Sequence, residues 1–405
     1  MMTTVKIAWR NIWRTPLRSL IVIGSIVLGI WAGIFVIAFC YGLNSQRTVN
    51  RIESAVSHIQ IHHSEFEKDF DSKFILEDPI TLEKTLDTDP EIKSYALRSL
   101  QMGMISSPIK SNGVQIIGIN KAQEKEVTNL YTNITEGSYF KTKRKNAILI
   151  GEVLAKKLNV RLRSKVVLTF QDNENNIISG AFRVCGIFKT QFSKYDENHV
   201  FIQNSDLHRL IQSEGYHQAA LLCYSIDQVE SVLNRLNSQL KGVYIKDWKK
   251  IAPELAYADE VMETWLFLIM IIIMLALIFG IINTMLMAVF ERRKELGMLM
   301  AIGMNKSKVF TLILVETFFL SLVGAPTGMF LGALTINLTS ETGIDLSIVG
   351  DGLQSVGLSN IIYPIIEPKF YFLTGILVFL FTLIAAIYPS NKALRLKPTE
   401  AIRTI

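Results

Sequence analysis

Four uncharged apolar runs dominate the chain, at residues 19–44, 264–290, 309–340 and 370–389, the third broken only by Glu316. Each meets the length of about 20 residues that an α-helix needs to cross a bilayer. Inside lipid a backbone must satisfy its own hydrogen bonds, so each run is read as a transmembrane helix. The order is one run, a long polar gap, then three runs. This predicts a membrane protein with one large water-exposed domain between its first two spans.

Within the gap the pattern changes period. β-Branched and aromatic residues mark strands at 58–63, 95–106, 114–119, 165–171, 177–188, 200–203, 219–226 and 243–245. Helical spacing marks 82–86, 152–158, 205–212 and 228–240, with Asn204 or Ser205 and Asp227 as the expected caps of the last two. The mixture predicts an α+β fold. Residues 172–176 lie between two strands and read as a solvated hairpin tip. Pro253 suits a helix's first turn, and no breaker separates it from the second span. Residues 43–57 hold neither Gly nor Pro and extend the first span outward. Two continuous helices are therefore expected to join the domain to the membrane.

Charge orients the spans. Lys6, Arg10, Arg14 and Arg18 precede the first without an acid among them. Arg292, Arg293, Lys294, Lys306 and Lys308 outnumber Glu291 and Glu295 between the second and third. After the fourth, Lys392, Arg395, Lys397 and Arg403 face Glu400 alone. The connection before the fourth span is acidic instead, with Glu341, Asp345, Asp351 and Glu367 against Lys369. Cytoplasmic loops carry the excess of Lys and Arg, so both termini are expected inside and the large domain outside. The net charge of +6 is then accounted for by basic clusters at anionic headgroups, and no nucleic acid is expected as a partner. The first run outlasts the about 7–15-residue core of a cleaved signal peptide, and Ala38-Phe39-Cys40-Tyr41 offers no small-residue cleavage site.

Catalytic motifs are missing. There is no G-x-x-x-x-G-K-[ST] phosphate loop and no H-E-x-x-H, C-x-x-C or G-x-S-x-G. The chain is not expected to be an enzyme. His58, His62 and His63 form the densest histidine group, yet a strand puts only the first two on one face, and no metal is expected. Cys185 and Cys223 fall on separate strand-like stretches and read as two buried thiols, although a disulfide between them is chemically open. Cys40 lies in the first span.

The membrane segments carry more. Ahead of the first span, Lys6, Arg10, Arg14 and Arg18 recur every four residues while Val5, Trp9, Ile12 and Trp13 lie largely to another side. This predicts an amphipathic helix at the inner headgroup layer. Gly324, Gly328 and Gly332 form a doubled G-x-x-x-G ladder around Pro326, and Gly29 and Gly33 form a single one. Such ladders admit close approach by another helix. Glu316 is costly if it faces lipid, so it either reaches the cytoplasmic surface or bonds a neighbouring helix, with a proton relay as the alternative. The segment Glu291-Arg292-Arg293-Lys294-Glu295-Leu296-Gly297-Met298-Leu299-Met300-Ala301-Ile302-Gly303 predicts a short helix with Leu296, Leu299, Met300 and Ile302 on one apolar side. An apolar stripe in a cytoplasmic turn suits docking of another protein.

That loop, with its E-R-x-x-E-[IL]-G…A-x-G pattern and the Gly-rich helix after it, resembles the permease module of FtsX and MacB type ABC transporters. The tail from Tyr388-Pro389-Ser390 to Pro398-Thr399-Glu400-Ala401-Ile402-Arg403 is similar to the closing signature of the same family. Residues 114–120, 147–158 and 182–188 resemble the periplasmic core of its lipoprotein-releasing, Lol-type branch, the LolC/LolE-like subunits. The resemblance implies a bacterial inner-membrane, multi-pass mechanotransmission permease with a MacB-like periplasmic core domain. Its parts would be a cytoplasmic amphipathic helix (1–18), a first span (19–43) and a periplasmic domain with helical stalks (44–262). A second span (263–290), a coupling loop (291–308), a third span (309–338), a periplasmic loop (339–369), a fourth span (370–389) and a cytoplasmic tail (390–405) would follow, 263–405 forming the FtsX-like permease domain.

The resemblance also implies partners. A cytoplasmic ABC ATPase dimer would come in trans, binding ATP and Mg, with no cofactor in this chain. It would engage Glu291, Arg292, Arg293, Lys294, Glu295, Leu296, Gly297, Leu299, Met300, Ala301 and Gly303. A second permease subunit, identical or paralogous, would complete the pair among membrane lipids, with lipoprotein cargo and a periplasmic carrier. The hairpin at 172–176 is short and lacks the proline of a carrier-gripping hook, which points to a non-hook subunit, a homodimer or another substrate. Efflux of peptides or small amphiphiles, and FtsX-like signalling to cell-wall hydrolases without transport, are the alternatives.

Overall fold

The computed structural model describes residues 2–14, 16–66, 73–141, 145–172, 174, 176–212, 214–349, 353 and 358–394. The tail positions Arg395, Lys397, Pro398, Glu400 and Arg403, together with Asp351, lie outside them. The chain divides into two compact units, Met1–Asn44 with Glu260–Asp345 and Ile361–Ile405, and Ser45–Asp259 with Leu346–Asn360.

The first unit is helical. Among the described residues, four helices are long and apolar enough to cross a membrane, at Ser19–Val56, Pro253–Glu291, Lys306–Thr342 and Pro368–Leu394. The third is the central one. Its glycines lie against the first: a Cβ on Gly324 would come within 2.9 Å of Ile26, on Gly328 within 3.0 Å of Ile30 and on Gly332 within 3.1 Å of Ile34. Ile26, Ile30 and Ile34 recur every four residues, so one ridge of the first span fills the groove that the glycine ladder opens. Gly29 and Gly33 do the same for the second span, with Cβ positions 2.6 Å from Leu277 and 3.2 Å from Ile273. Polar side chains within the helices bond back to their own turns, as Thr382 to the Val378 carbonyl at 2.6 Å and Ser390 to that of Ala386 at 2.7 Å. Pro326 and Pro389 sit inside their helices, where each removes one backbone donor. At the other end, the Ile365 amide donates to the Ala38 carbonyl at 3.1 Å. Tyr41 hydrogen-bonds Glu367, and Lys369 bridges Glu367 at 2.9 Å and Glu263 at 3.3 Å.

The second unit is built on a ten-stranded mixed sheet. Its strands are β1 Ile59–His63, β2 Ile92–Ser106, β3 Ser111–Ile119, β4 Ile134–Gly137, β5 Ala147–Gly151, β6 Lys165–Gln171, β7 Ile177–Phe188, β8 His199–Gln203, β9 Gln218–Cys223 and β10 Val243–Asp247. The order is β10-β1-β9-β2-β3-β8-β5-β7-β4, with β6 pairing both β2 and β7. Pairing is antiparallel except between β3 and β8 and between β5 and β7. The long strand β2 spans both halves, pairing β9 through residues 92–98 and β6 through 103–106.

The structure corrects several expectations in this unit. Strands β4 and β5 carry no alternating pattern. All five residues of β5 are buried, so their apolar run has no period to read. Short helices at Lys121–Val127 and Ser193–Asn198 also escape the sequence pattern. Gln203 rather than Asn204 or Ser205 precedes the helix Asn204–Ile211, and the buried Asn204 amide is turned to the Leu97 carbonyl at 3.2 Å. Ser225, not Asp227, caps the next helical segment through a reciprocal box with Gln228. Cys185 on β7 and Cys223 on β9 are separate free thiols. By the shorter route, through β2 and β6, two strands stand between β9 and β7, and three spacings of about 4.8 Å exceed disulfide reach. His58 accepts from the Cys223 amide at 2.9 Å, and His62 lies 3.1 Å from the His217 carbonyl, so both rings are tied into the sheet. The hairpin between β6 and β7 is closed by Asp172, which accepts from the amides of Glu174 at 2.9 Å and Asn176 at 2.8 Å.

The helix Pro16–Arg51 continues from the first span as expected, then changes to a π-helical turn at Ile52–Val56 before Ser57 takes φ +61°. Its outer end is held by side chains. Asn50 donates to Gln191 at 2.8 Å, Asn129 to Glu53 at 2.5 Å and Thr48 to Asp259 at 3.1 Å. The Arg51 guanidinium lies 4.4 Å above the Phe192 ring. Gln191 and Phe192 belong to a loop fixed by Asp196, which accepts from the Thr190 amide at 3.0 Å and its hydroxyl at 2.7 Å.

Burial pushes the Asp196 carboxyl up to about 7, although the Thr190 bonds act the other way. The native state thus holds a proton there that the unfolded chain, with its ordinary value of 3.8, has released. Its contribution is full below that value and is lost as pH rises through about 7. Asp196→Asn should therefore flatten the fall in stability between about pH 4 and pH 7, measured as the wild-type-minus-variant difference in denaturation midpoint. An unchanged slope would show that Asp196 is not the group titrating.

Candidate functional site

The loop between the second and third spans folds as the short helix Arg293–Ala301. Arg292, with φ −91° and ψ 14°, breaks the helical path between Glu291 and this helix. At the other end Gly303 takes φ +101°, its amide bonds the Met300 carbonyl at 3.1 Å, and the Met304 amide bonds that of Leu299 at 3.0 Å. This is a Schellman stop, whose left-handed position is reserved in practice for glycine. Asn305 then caps the third span by accepting from the Ser307 amide at 3.3 Å.

Helical rotation divides the segment differently from the expected stripe. Leu296 and Gly297 are buried, while Leu299 and Met300 are half-buried and face the helical core. Ile302 is 83% exposed and Met298 52%, and Glu291, Lys294, Glu295, Ala301 and Gly303 are exposed as well. The apolar positions that pack inward hold the short helix in place. The apolar surface left uncovered is centred on Met298 and Ile302, which stand four residues apart and so share a face.

Beneath the helix lies an ion pair. Arg292 Nη1 donates to both oxygens of Glu316 at 3.1 Å, and its Nη2 donates to the Asn11 carbonyl at 3.3 Å. Asn11 Nδ2 donates to Glu316 Oε1 at 2.7 Å. One carboxylate therefore joins three elements: the helix Met2–Arg14, the break before Arg293, and the third span. Glu316 and Arg292 are largely buried, with side-chain exposures of 11% and 14%. Of the roles weighed for Glu316, bonding to neighbouring elements is the one the structure displays. Arg293 is half-buried, whereas Lys294 and Glu295 are exposed. A cavity of about 40 Å³ adjoins the pair, bounded by Asn11, Glu295, Leu299, Leu312 and Glu316 among others, with room for a water molecule or two.

Asn11 is the member that sequence reasoning passed over. Its helix packs on the third span through buried Ala8 and Ile12 and through Trp9, whose ring lies 5.2 Å from Phe319. Lys6, Arg10 and Arg14 are exposed, as is Trp13. The only hint was an amide at the margin between the basic and apolar sides. Among the described residues, no group of three His, Cys, Asp or Glu is placed to hold a metal.

The pair predicts an asymmetry within one short loop. Arg292→Ala removes the guanidinium that binds both Glu316 oxygens and should cost about 3 kcal/mol, because breaking a buried pair is strongly destabilising. Lys294→Ala, on the exposed side, should cost less than about 0.5 kcal/mol. Thermal unfolding in detergent, with both variants against wild type, checks the difference. Equal midpoints would show that the pair is not what anchors the loop.

Residues 267–398 match the family model of the FtsX-like permease C-terminal domain, and 19–239 match that of the MacB-like periplasmic core domain. The chain is 22% identical over 388 residues to the lipoprotein-releasing system transmembrane protein LolC of Haemophilus influenzae, covering 94% of this chain and 91% of that protein. It is 21% identical to LolE of the same organism, over 79% of this chain and 80% of that one. An uncharacterized ABC transporter permease of Methanocaldococcus jannaschii is 24% identical over 67% of this chain and 65% of its own length. Among solved structures, the periplasmic region of MacB from Actinobacillus actinomycetemcomitans aligns with TM-score 0.36 and 18% identity, over 51% of this chain and 96% of that one. With one model spanning the large domain and the other the last three spans, the chain belongs to the FtsX/MacB-type ABC transporter permeases.

Proposed function

We propose that this chain is the permease subunit of a lipoprotein-releasing type of ABC transporter. A separate ATPase dimer docks on the loop after the second span, and its opening and closing move the membrane helices and the large domain. In this reading both termini are cytoplasmic, the large domain is periplasmic, and a second permease subunit completes the pair in a bacterial inner membrane. ATP and Mg belong to the ATPase. The cargo is acylated lipoprotein drawn from the membrane.

The observation that carries the reading is the anchored short helix. Arg293–Ala301 is capped at Gly303 and pinned beneath by Arg292 and Glu316, yet it leaves Ile302 and Met298 uncovered. A helix held rigidly with two apolar side chains outward is suited to receive force from another protein. Force entering there has stiff paths along it, because the helices Pro16–Arg51 and Pro253–Glu291 each run unbroken beyond the membrane-spanning length. The cargo rests on the LolC and LolE relatives, which are named for lipoprotein release. The closed hairpin at Asp172 offers no proline, so capture of a carrier by a proline hook is left out of the proposal.

Ile302→Asp, at an exposed site that folding does not use, should reduce co-purification of the ATPase at least about tenfold, as loss of a buried interface anchor does. Affinity capture of the full chain from membranes with quantitation of the bound ATPase reads this out, and full retention removes the loop as the docking point. For cargo, depletion of the chain should trap mature lipoproteins in the inner membrane. Their normal outer-membrane delivery, with failure of cell separation instead, would favour signalling to cell-wall hydrolases.

A further inference from the structure

Arg292 is ion-paired with two carboxylates and hydrogen-bonded to one of them. Its Nη1 binds Glu316 on the third span, while its Nε makes no hydrogen bond and lies 3.8 Å from Glu295 Oε2 on the short helix. Glu295 is half exposed and forms no closer pair with the guanidinium in this state. Both carboxylates border the cavity of about 40 Å³, so the space into which the guanidinium would turn is already present. The backbone at Arg292 leaves helical φ/ψ yet keeps its bonds to the Ala288 carbonyl at 3.3 Å and from the Leu296 amide at 3.0 Å, so a change of partner is a rotation of the side chain about a fixed joint.

We propose that Arg292 is a swivel with two positions: it holds Glu316 in the state described here and passes to Glu295 when the docked ATPase moves the short helix. Glu316 is then a positioning residue, defining the first state together with Asn11, and Glu295 defines the second. This deepens the reading that an ATPase drives the loop, and it rests on that reading. Two arrangements of one buried charge form the kind of bistable element through which a small displacement becomes a discrete change. Moving between partners keeps the arginine paired throughout, while Glu316 gives up the guanidinium and keeps the Asn11 amide, a cost that the docked ATPase must supply.

The test uses the complete complex with its ATPase in lipid nanodiscs. Leu299→Cys, lining the cavity, is introduced after Cys40, Cys185 and Cys223 are changed to serine, and its maleimide labelling rate is read without nucleotide and after ATP–vanadate trapping. The parent should label slowly without nucleotide and roughly tenfold faster when trapped, within the range of ordinary coupling between sites. Glu316→Gln weakens the first state and should label fast in both conditions. Glu295→Gln weakens the second and should label slowly in both. The double variant Arg292→Glu with Glu316→Arg rebuilds the first pair but sets two carboxylates against each other in the second. It should assemble and label slowly in both. Opposite responses from two isosteric variants are not produced by a merely structural role. If either single variant keeps the full nucleotide-dependent change, or the double variant fails to assemble, the swivel is overturned. A parent complex that binds no ATPase overturns the function proposed above, and the swivel with it.

Discussion

A carboxylate inside a membrane helix must find a cation or lose its charge, and Glu316 shows how much structure that requirement organises. The cost of an unpaired charge in hydrocarbon forces Arg292 inward from a loop that would otherwise be free to face water. Arg292 can reach only if the helix breaks at its own position, which it does between Glu291 and Arg293. Asn11 donates to the same carboxylate, and this ties the helix Met2–Arg14 to the third span. The apolar residues Leu296 and Ala8 then seal a site that the charges have already placed. Loop, entry helix and third span are therefore positioned by one group.

The packing of the spans has a separate cause. Helices in lipid gain nothing from hiding apolar surface, since the solvent is equally apolar, and must be held by close contact and hydrogen bonds. The glycines of the third span provide that contact against Ile26, Ile30 and Ile34, and those of the first span against Leu277 and Ile273. The second unit follows the opposite rule. Its sheet buries an ordinary apolar core, and it tolerates the internal pair Arg98–Glu124 because the guanidinium binds both oxygens, at 2.9 and 2.7 Å, and Thr128 takes up one of them at 3.0 Å.

The family assignment and the site chemistry support different statements. Matches across the large domain and the last three spans establish what kind of permease this is. The site geometry concerns how such a permease could be driven, because it distinguishes residues that hold the loop from residues that another protein could touch. Glu291, Lys294, Glu295, Met298, Ala301, Ile302 and Gly303 fall in the second group, and Arg292, Leu296, Gly297, Leu299 and Met300 in the first, with half-buried Arg293 between them.

What the sequence determined by itself follows from local physics. Span length, helical continuity after Pro253, the glycine ladders and the alternation in β6 and β7 are all periodic or compositional, and each reads directly. The fully buried β5 had no alternation to read, and the caps at Gln203 and Ser225 were misplaced because neighbouring polar residues compete for the same role. Only the tertiary structure decided which face of the short loop helix points inward, since a stripe of apolar residues does not say whether its partner is the same chain or another. It alone brought Asn11 to Glu316, 305 positions apart in the chain, because a charge selects its partner by distance in space and the sequence records only distance along the backbone.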